Sequence, residues 1–130
     1  MLIVDDDRIY QFTARKLMKA TGNAGDITVS SNGKEALEYL ESMIQSQSAL
    51  PDVIFLDLNM PVMGGWEFLE AYKEVKNRLP KEIRIYIVSS SADTVDTGRS
   101  TQYDTVKGYM LKPVLKEKFN QVLTAVSAGL

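Results

Sequence analysis

The chain has 130 residues, enough for one domain with a single core. Its net charge of −2 does not indicate a nucleic acid or an anionic membrane surface as a partner. The absence of His and Cys excludes imidazole acid–base catalysis, Ser-His-Asp triads, disulfides and the usual zinc sites, and a Cys-free chain fits a reducing cytoplasm. No apolar run reaches the roughly 18 residues that a membrane span requires.

The first half of the chain alternates short apolar segments with longer stretches of helical periodicity. The apolar segments predict three strands, at Leu2–Val4, Ile27–Val29 and Val53–Leu56. Between the first two strands, a helix is predicted over Arg8–Ala20, with apolar residues at Ile9, Phe12, Leu17 and Ala20 and a terminator in "TGNAG". The stretch "SNGKEALEYLESMI" predicts a second helix, with Asn32 at its N-cap and Glu35 in a capping box.

The second half continues the same alternation. A third helix is indicated by the spacing of Trp66, Leu69, Tyr72 and Val75, and it ends at "NRLPK". Two more strands are predicted at Ile83–Val88, half-exposed because of Arg84 and Tyr86, and at Gly108–Leu111. A weak helix is predicted around Asp93–Gln102, and a final one over Val114–Ala128 with one apolar face made of Leu115, Phe119, Val122, Leu123 and Val126.

Five strand–helix units in succession predict an α/β fold with a parallel sheet covered on both faces. Right-handed crossovers make such a sheet an open, doubly wound one. The chain has no internal repeat, low-complexity tract or linker, so residues 1–130 are expected to form a single domain. Only "AGL" follows the last predicted helix, and we expect no effector domain in this chain.

Polar side chains stand where the predicted strands end. Asp5 and Asp6 follow the first strand, and Asp57 ends the third. Ser89 comes just past the fourth strand and Lys112 just past the fifth. Ligands of open α/β sheets bind beyond the carboxyl ends of the strands. If strands one, three, four and five are neighbours, all five side chains converge on one pocket.

Three carboxylates in one pocket repel one another. A like-charged pair about 4 Å apart costs on the order of 4 kcal/mol at an effective dielectric constant near 20, so such a site either raises a pKa or binds a cation. Because the available ligands are hard oxygens, the expected cation is Mg²⁺ rather than zinc or copper. One carboxylate can then act as a nucleophile, with Ser89 donating a hydrogen bond to a phosphoryl oxygen and Lys112 pairing with another.

Four motifs in this order, "VDDD", "FLDLNMP", "IVSSS" and "YMLKP", resemble the signatures of response-regulator receiver domains, the CheY-like fold. The stretches "NMPVMGGWEFLE" and "SNGKEALEYLE" are similar to stand-alone bacterial receivers. The resemblance implies a flavodoxin/CheY-like (βα)5 fold with strand order 2-1-3-4-5. Family members usually carry Asp-Gly where this chain has Gly64–Gly65. The permissive backbone angles of the two glycines and the fixed angle of Pro61 suit a sharp turn after the third strand.

The resemblance also implies a function, that of a response regulator in a two-component phosphorelay. Asp57 would accept a phosphoryl group from a partner histidine kinase or phosphotransfer protein. Asp5, Asp6 and Asp57 would bind Mg²⁺ together with the backbone carbonyl of Asn59. Small polar residues at Asn59 and Ser91 would let water reach the phosphoryl group. The protein would be cytoplasmic and no enzyme in the ordinary sense, although it would catalyse its own phosphorylation and dephosphorylation.

Signalling would pass through a switch, again by resemblance. Ser89 would be the switch hydroxyl, Tyr109 the aromatic residue that rotates on phosphorylation, and Lys112 the conserved-type lysine, before a Pro113 bond that is commonly cis in the family. Phosphorylation would reshape the face formed by helix four, strand five and helix five. A downstream protein of unknown identity would read that face, with no nucleic acid or membrane involved.

Simpler interpretations of single residues stay open from the sequence. Asp7 is better explained as the N-cap of the first helix than as a metal ligand. The Asp5–Asp6 pair alone could be loop acids. Ser90 replaces Ser89 as the switch hydroxyl if the strand boundary slips by one residue, and Tyr109 is equally consistent with an ordinary half-buried tyrosine.

Two other functions compete with the phosphorelay. One is a receiver-like binding module that acts without phosphorylation. The other is a hydrolase of the haloacid-dehalogenase type, whose chemistry requires a second Asp two residues after the first, where this chain has Asn59. A flavodoxin-like cofactor binder would share the fold, but no Gly-rich phosphate loop follows the first strand.

Overall fold

The computed structural model describes residues 1–45, 50–90 and 94–129. Its strands are β1 (Leu2–Val4), β2 (Thr28–Ser30), β3 (Val53–Leu56), β4 (Arg84–Ser89) and β5 (Val106–Leu111). Its helices are α1 (Arg8–Ala20), α2 (Gly33–Ser42), α3 (Gly65–Lys76), α4 (Thr94–Ser100) and α5 (Lys116–Ser127). The five strands are parallel and lie in the order β2-β1-β3-β4-β5. The predicted doubly wound sheet and its strand order are confirmed.

Each face of the sheet packs on its own helical layer. Leu2, Ile54 and Ile85 belong to a core shared with α2 and α3, whereas Ile3 and Phe55 point to the opposite face and pack with α1 and α5. This alternation follows from the two-residue period of a strand. Since both faces are covered, β1 and β3 are apolar at every position, and β3 is held rigidly at the centre of the sheet.

Several element boundaries differ slightly from the sequence predictions. β2 and β4 each begin and end one residue later than predicted, and β5 begins two residues earlier, at Val106. The predicted capping box of α2 is confirmed in part: Asn32 accepts a hydrogen bond from the Glu35 N–H at 3.0 Å, but the Glu35 carboxylate accepts from the Ser31 N–H. The weak helix is present as the seven residues of α4, while Asp93 lies outside the described residues.

The predicted apolar faces of two helices are only partly correct. In α1 the buried residues are Ala14 and Met18, whereas Ile9 and Phe12 are 79% and 64% exposed. In α5 the predicted residues Phe119, Val122 and Leu123 are buried and Val126 is partly buried, but Leu115 precedes the helix as its N-cap and is exposed. No helix in the described part of the chain is both long enough and apolar enough to span a membrane.

The turn between β3 and α3 needs glycine for space rather than for backbone freedom. Gly64 has a φ of −79°, and within this turn the positive φ belongs to Val62, at 67°. A Cβ on Gly65 would lie 2.6 Å from the carbonyl oxygen of Asp57 and 2.8 Å from the Cα of Leu58. The prediction that this glycine pair is needed for its permissive backbone angles was therefore wrong, since neither residue has a positive φ. Gly65 is needed for its small size, because α3 begins in direct contact with the backbone that carries Asp57.

Gly65→Ala is expected to lower the free energy of unfolding by about 1–3 kcal/mol, because the added methyl group can be accommodated only by moving backbone. Gly98→Ala is the matched control, since a Cβ at this position in α4 meets nothing within 4 Å. That control should stabilise the protein by about 0.5–1 kcal/mol, the usual difference between Gly and Ala in a helix. Urea denaturation measures both. Equal effects of the two substitutions would contradict the close approach at Gly65.

Candidate functional site

The candidate site lies at the carboxyl edge of the sheet, where main-chain hydrogen bonds extend the strands by one residue. The N–H of Asp57 donates to the Val4 carbonyl at 2.9 Å, and the N–H of Asp5 donates to the Ser30 carbonyl at 3.0 Å. The N–H of Lys112 donates to the Ser89 carbonyl at 2.9 Å. The side chains at these positions are thus carried by backbone that is hydrogen-bonded to the neighbouring strand.

Three carboxylates meet at this edge, as predicted. Asp5, Asp6 and Asp57 each place a carboxylate oxygen within 4.8 Å of the others. Asp5 and Asp57 are buried, at 1% and 7% exposure, whereas Asp6 is exposed. The cluster is therefore open to solvent on the side of Asp6. Its three hard oxygen donors fit a divalent cation of the Mg²⁺ type better than a soft metal.

The ammonium group of Lys112 faces the two buried carboxylates. Its Nζ lies 2.7 Å from Asp5 Oδ2 and 3.7 Å from Asp57 Oδ1. The other oxygen of Asp5, Oδ1, accepts a hydrogen bond from the Asp7 N–H at 2.9 Å. Each oxygen of Asp5 thus accepts a hydrogen bond from a protein group, and the Lys112 ammonium lies closer to Asp5 than to Asp57. The Lys112–Pro113 peptide bond is cis, as the resemblance implied.

Asp57 is destabilised in its charged form. Burial, and then the negative charge of Asp5, raise the pKa of Asp57 from 3.8 to about 6, although Lys112 and the backbone N–H groups of Asn59 and Leu58 act in the opposite direction. The carboxylate is still ionised at neutral pH. A buried acid with a raised pKa in a group of like charges is typical of a functional site, where a cation or a new bond relieves the repulsion.

The remaining predicted site residues lie on β4, on β5 and after β3. Ser89 is the last residue of β4 rather than the first beyond it, and it is fully buried, whereas Ser90 is exposed. Tyr109 lies opposite Ile87 and is half-buried against the core on the α2–α3 face. Asn59 is exposed, two residues after Asp57. Ser91 lies outside the described residues.

The N-cap of α1 and one residue of its first turn lie beside the acids. Asp7 is the N-cap, as predicted, and it accepts hydrogen bonds from the N–H groups of Ile9 and Tyr10 at 2.9 and 3.2 Å. Tyr10 was not singled out from the sequence, yet the Lys112 Nζ lies 4.2 Å from the centre of its ring. One signal pointed to it: a helix that begins directly after the acids must place its first turn at the same edge of the sheet.

A five-stranded doubly wound sheet that carries an acidic cluster and a lysine at its carboxyl edge is the arrangement of CheY-like receiver domains. The comparison with protein families agrees, since the response regulator receiver domain family matches residues 1–124. The chain therefore belongs to the response regulator receiver domain family and represents the receiver domain of a two-component system.

Individual relatives support this membership. The chain is 33% identical to the nitrate/nitrite response regulator protein NarL of Escherichia coli K12, over 99% of this chain and 55% of that protein. It is 34% identical to a protein-glutamate methylesterase/protein-glutamine glutaminase of Treponema denticola, over 100% of this chain and 32% of that protein. The chain thus spans about half the length of the first relative and about a third of the second. Among solved structures, a two-component response regulator from Cytophaga hutchinsonii superposes with a TM-score of 0.87 at 26% identity, covering 98% of this chain and 95% of that one.

Proposed function

We propose that Asp57 accepts a phosphoryl group from the phosphohistidine of a partner histidine kinase or phosphotransfer protein, so that the domain acts as a phosphorylation-dependent switch. One observation carries this proposal: the buried Asp57 carboxylate shares the carboxyl edge of the sheet with Asp5 and Asp6 and faces the ammonium of Lys112. Phosphoryl transfer requires a nucleophilic oxygen, charge neutralisation and alignment, and these residues offer all three.

The ionised carboxylate of Asp57 would be the nucleophile of the phosphoryl transfer. Its pKa of about 6 leaves the carboxylate ionised at neutral pH, so that an oxygen lone pair can attack phosphorus. A P–O bond forms while the P–N bond to the donor imidazole breaks, and the leaving nitrogen keeps the bonding electrons and takes up a proton. Negative charge on the phosphoryl oxygens is balanced by the Lys112 ammonium and by a hydrogen bond from the Ser89 hydroxyl.

A divalent cation is part of the proposal. The Asp5, Asp6 and Asp57 carboxylates, together with the backbone carbonyl of Asn59, would hold Mg²⁺ on the open side of the cluster. When bound, Mg²⁺ would supply charge neutralisation for the transferred phosphoryl group. The protein contributes a fixed set of oxygens, because Asp5 and Asp57 are anchored by sheet hydrogen bonds.

The output of the switch is a change in charge at the end of β3. Phosphorylation replaces a carboxylate by a group with more negative charge and more hydrogen-bond acceptors. In our proposal the Ser89 hydroxyl donates to that group, and Tyr109 turns toward the space that Ser89 leaves. The surface formed by α4, β5 and α5 would change with it, and a downstream protein would recognise the changed surface.

Incubation with acetyl phosphate tests the proposal. We expect the intact mass of the protein to increase by one phosphoryl group at neutral pH with Mg²⁺, and to stay unchanged in EDTA, because the acids repel an anionic donor without a cation. A folded protein that takes up no phosphoryl group with Mg²⁺ would contradict the proposal and favour a binding module that works without phosphorylation. Rapid consumption of the donor with no phosphoprotein at any time would favour the hydrolase.

A further inference from the structure

The Tyr10 ring is a third neighbour of the Lys112 ammonium, beside the two buried acids. The Nζ of Lys112 is 2.7 Å from Asp5 Oδ2, 3.7 Å from Asp57 Oδ1 and 4.2 Å from the centre of the Tyr10 ring. The position of Tyr10 is set by the N-terminus of α1, where its N–H donates to the Asp7 cap. The ammonium therefore has two carboxylates and one aromatic ring as its neighbours.

The hydroxyl group of Tyr10 does not explain its position. Within the described residues, the hydroxyl oxygen is buried and has no hydrogen-bond partner. Burial and the nearby charges of Asp5 and Asp57 raise the pKa of Tyr10 well above its usual range, so the phenol stays neutral. A buried hydroxyl without a partner is unfavourable, which leaves the ring as the part of the side chain that serves the site.

We propose that Tyr10 is a positioning residue for phosphoryl transfer, whose ring holds the Lys112 ammonium against Asp5 and Asp57. This inference rests on the proposed role of Asp57 as the phosphoryl acceptor. A lysine has a long flexible stem, so its ammonium needs external contacts to stay in one place. The electron-rich face of a tyrosine attracts a cation, more strongly where water is excluded, and it leaves the ammonium's N–H bonds directed at the acids.

Two substitutions separate the ring from the hydroxyl. Tyr10→Phe keeps the aromatic face, and we expect phosphorylation by acetyl phosphate within about twofold of the wild-type rate. Tyr10→Leu removes the face and should slow phosphorylation about tenfold at saturating donor, the effect of one partly desolvated cation–π contact. The donor concentration at half-maximal rate should change little. Tyr10→Met, a flexible apolar side chain of similar length, should behave like Tyr10→Leu.

A nuclear magnetic resonance experiment reads the contact itself, without phosphorylation. The ε-methylene signal of Lys112, assigned through Lys112→Arg, should show a ring-current shift in the wild-type protein and in Tyr10→Phe. The shift should disappear in Tyr10→Leu and Tyr10→Met. Urea denaturation of each variant establishes that the rates compare folded proteins.

The outcomes are distinct. A Tyr10→Phe variant as slow as Tyr10→Leu would overturn the proposal, because the hydroxyl would then be the acting group. Wild-type rates in Tyr10→Leu and Tyr10→Met would overturn it as well, as would an unshifted Lys112 signal in the wild-type protein. If the wild-type protein takes up no phosphoryl group at all, the proposed function fails, and the Lys112 signal still decides whether the ring holds the ammonium.

Discussion

Asp57→Asn is expected to lower phosphoryl incorporation from acetyl phosphate about a thousandfold or more, as the loss of a nucleophile usually does. The amide has nearly the size and shape of the carboxylate but lacks the anionic oxygen that attacks phosphorus. The backbone should stay in place, because the Asp57 N–H is bonded to the Val4 carbonyl whatever the side chain is. Intact-mass measurements over time, with Mg²⁺ present, give the rate of incorporation.

Asp7→Asn is the matched control for this prediction. It removes the same charge from the same edge of the sheet, and asparagine caps a helix about as well as aspartate does. Its phosphorylation should stay close to that of the wild-type protein. Incorporation that persists in Asp57→Asn, on Asp5 or Asp6, would contradict the assignment of the acceptor. A large loss in Asp7→Asn would contradict the interpretation of Asp7 as a cap.

The parts of the fold that sequence predicts well are those with a strong local signal. The bounds of β1 and β3 match the prediction because each strand is an uninterrupted apolar run that ends at the residue before an aspartate. β2 and β4 each extend into a serine, Ser30 and Ser89, and sequence preference alone favours ending them earlier. Ser30 is included because it pairs with Val4, and Ser89 because it pairs with Leu111, so the partner strand sets the boundary.

The acidic cluster was predictable because topology alone brings the carboxyl ends of neighbouring parallel strands together. The buried face of α1 was not, since helical spacing of Ile9 and Phe12 does not say on which side of the helix the sheet lies. The same limit applies to Tyr10 and Lys112, which are far apart in sequence and meet through tertiary packing. The close approach at Gly65 likewise depends on the path of backbone from another element.

The metal-free protein should lose stability as the pH rises from about 4 to about 7, because Asp57 ionises in a site that disfavours its charge. Its pKa is about 6 in the folded protein and near 3.8 in an unfolded chain. Well below pH 3.8 the carboxyl is protonated in both states. Between the two pKa values the folded protein binds more protons, so the free energy of unfolding falls as the pH rises. The complete loss is about 3 kcal/mol, for a shift of about two pKa units.

Asp57→Asn isolates this contribution, since the other charged groups around Asp57, which are Asp5, Asp6 and Lys112, are common to both proteins. In urea denaturation with EDTA, the variant should lie within about 1 kcal/mol of the wild-type protein near pH 4 and exceed it by about 3 kcal/mol near pH 7.5. Saturating Mg²⁺ should narrow the gap, because the wild-type protein has one more carboxylate with which to bind the cation. A difference between the two proteins that stays constant from pH 4 to pH 7.5 would mean that the Asp57 charge costs the fold nothing. The repulsion that makes this carboxylate a candidate for metal binding and phosphorylation would then be absent.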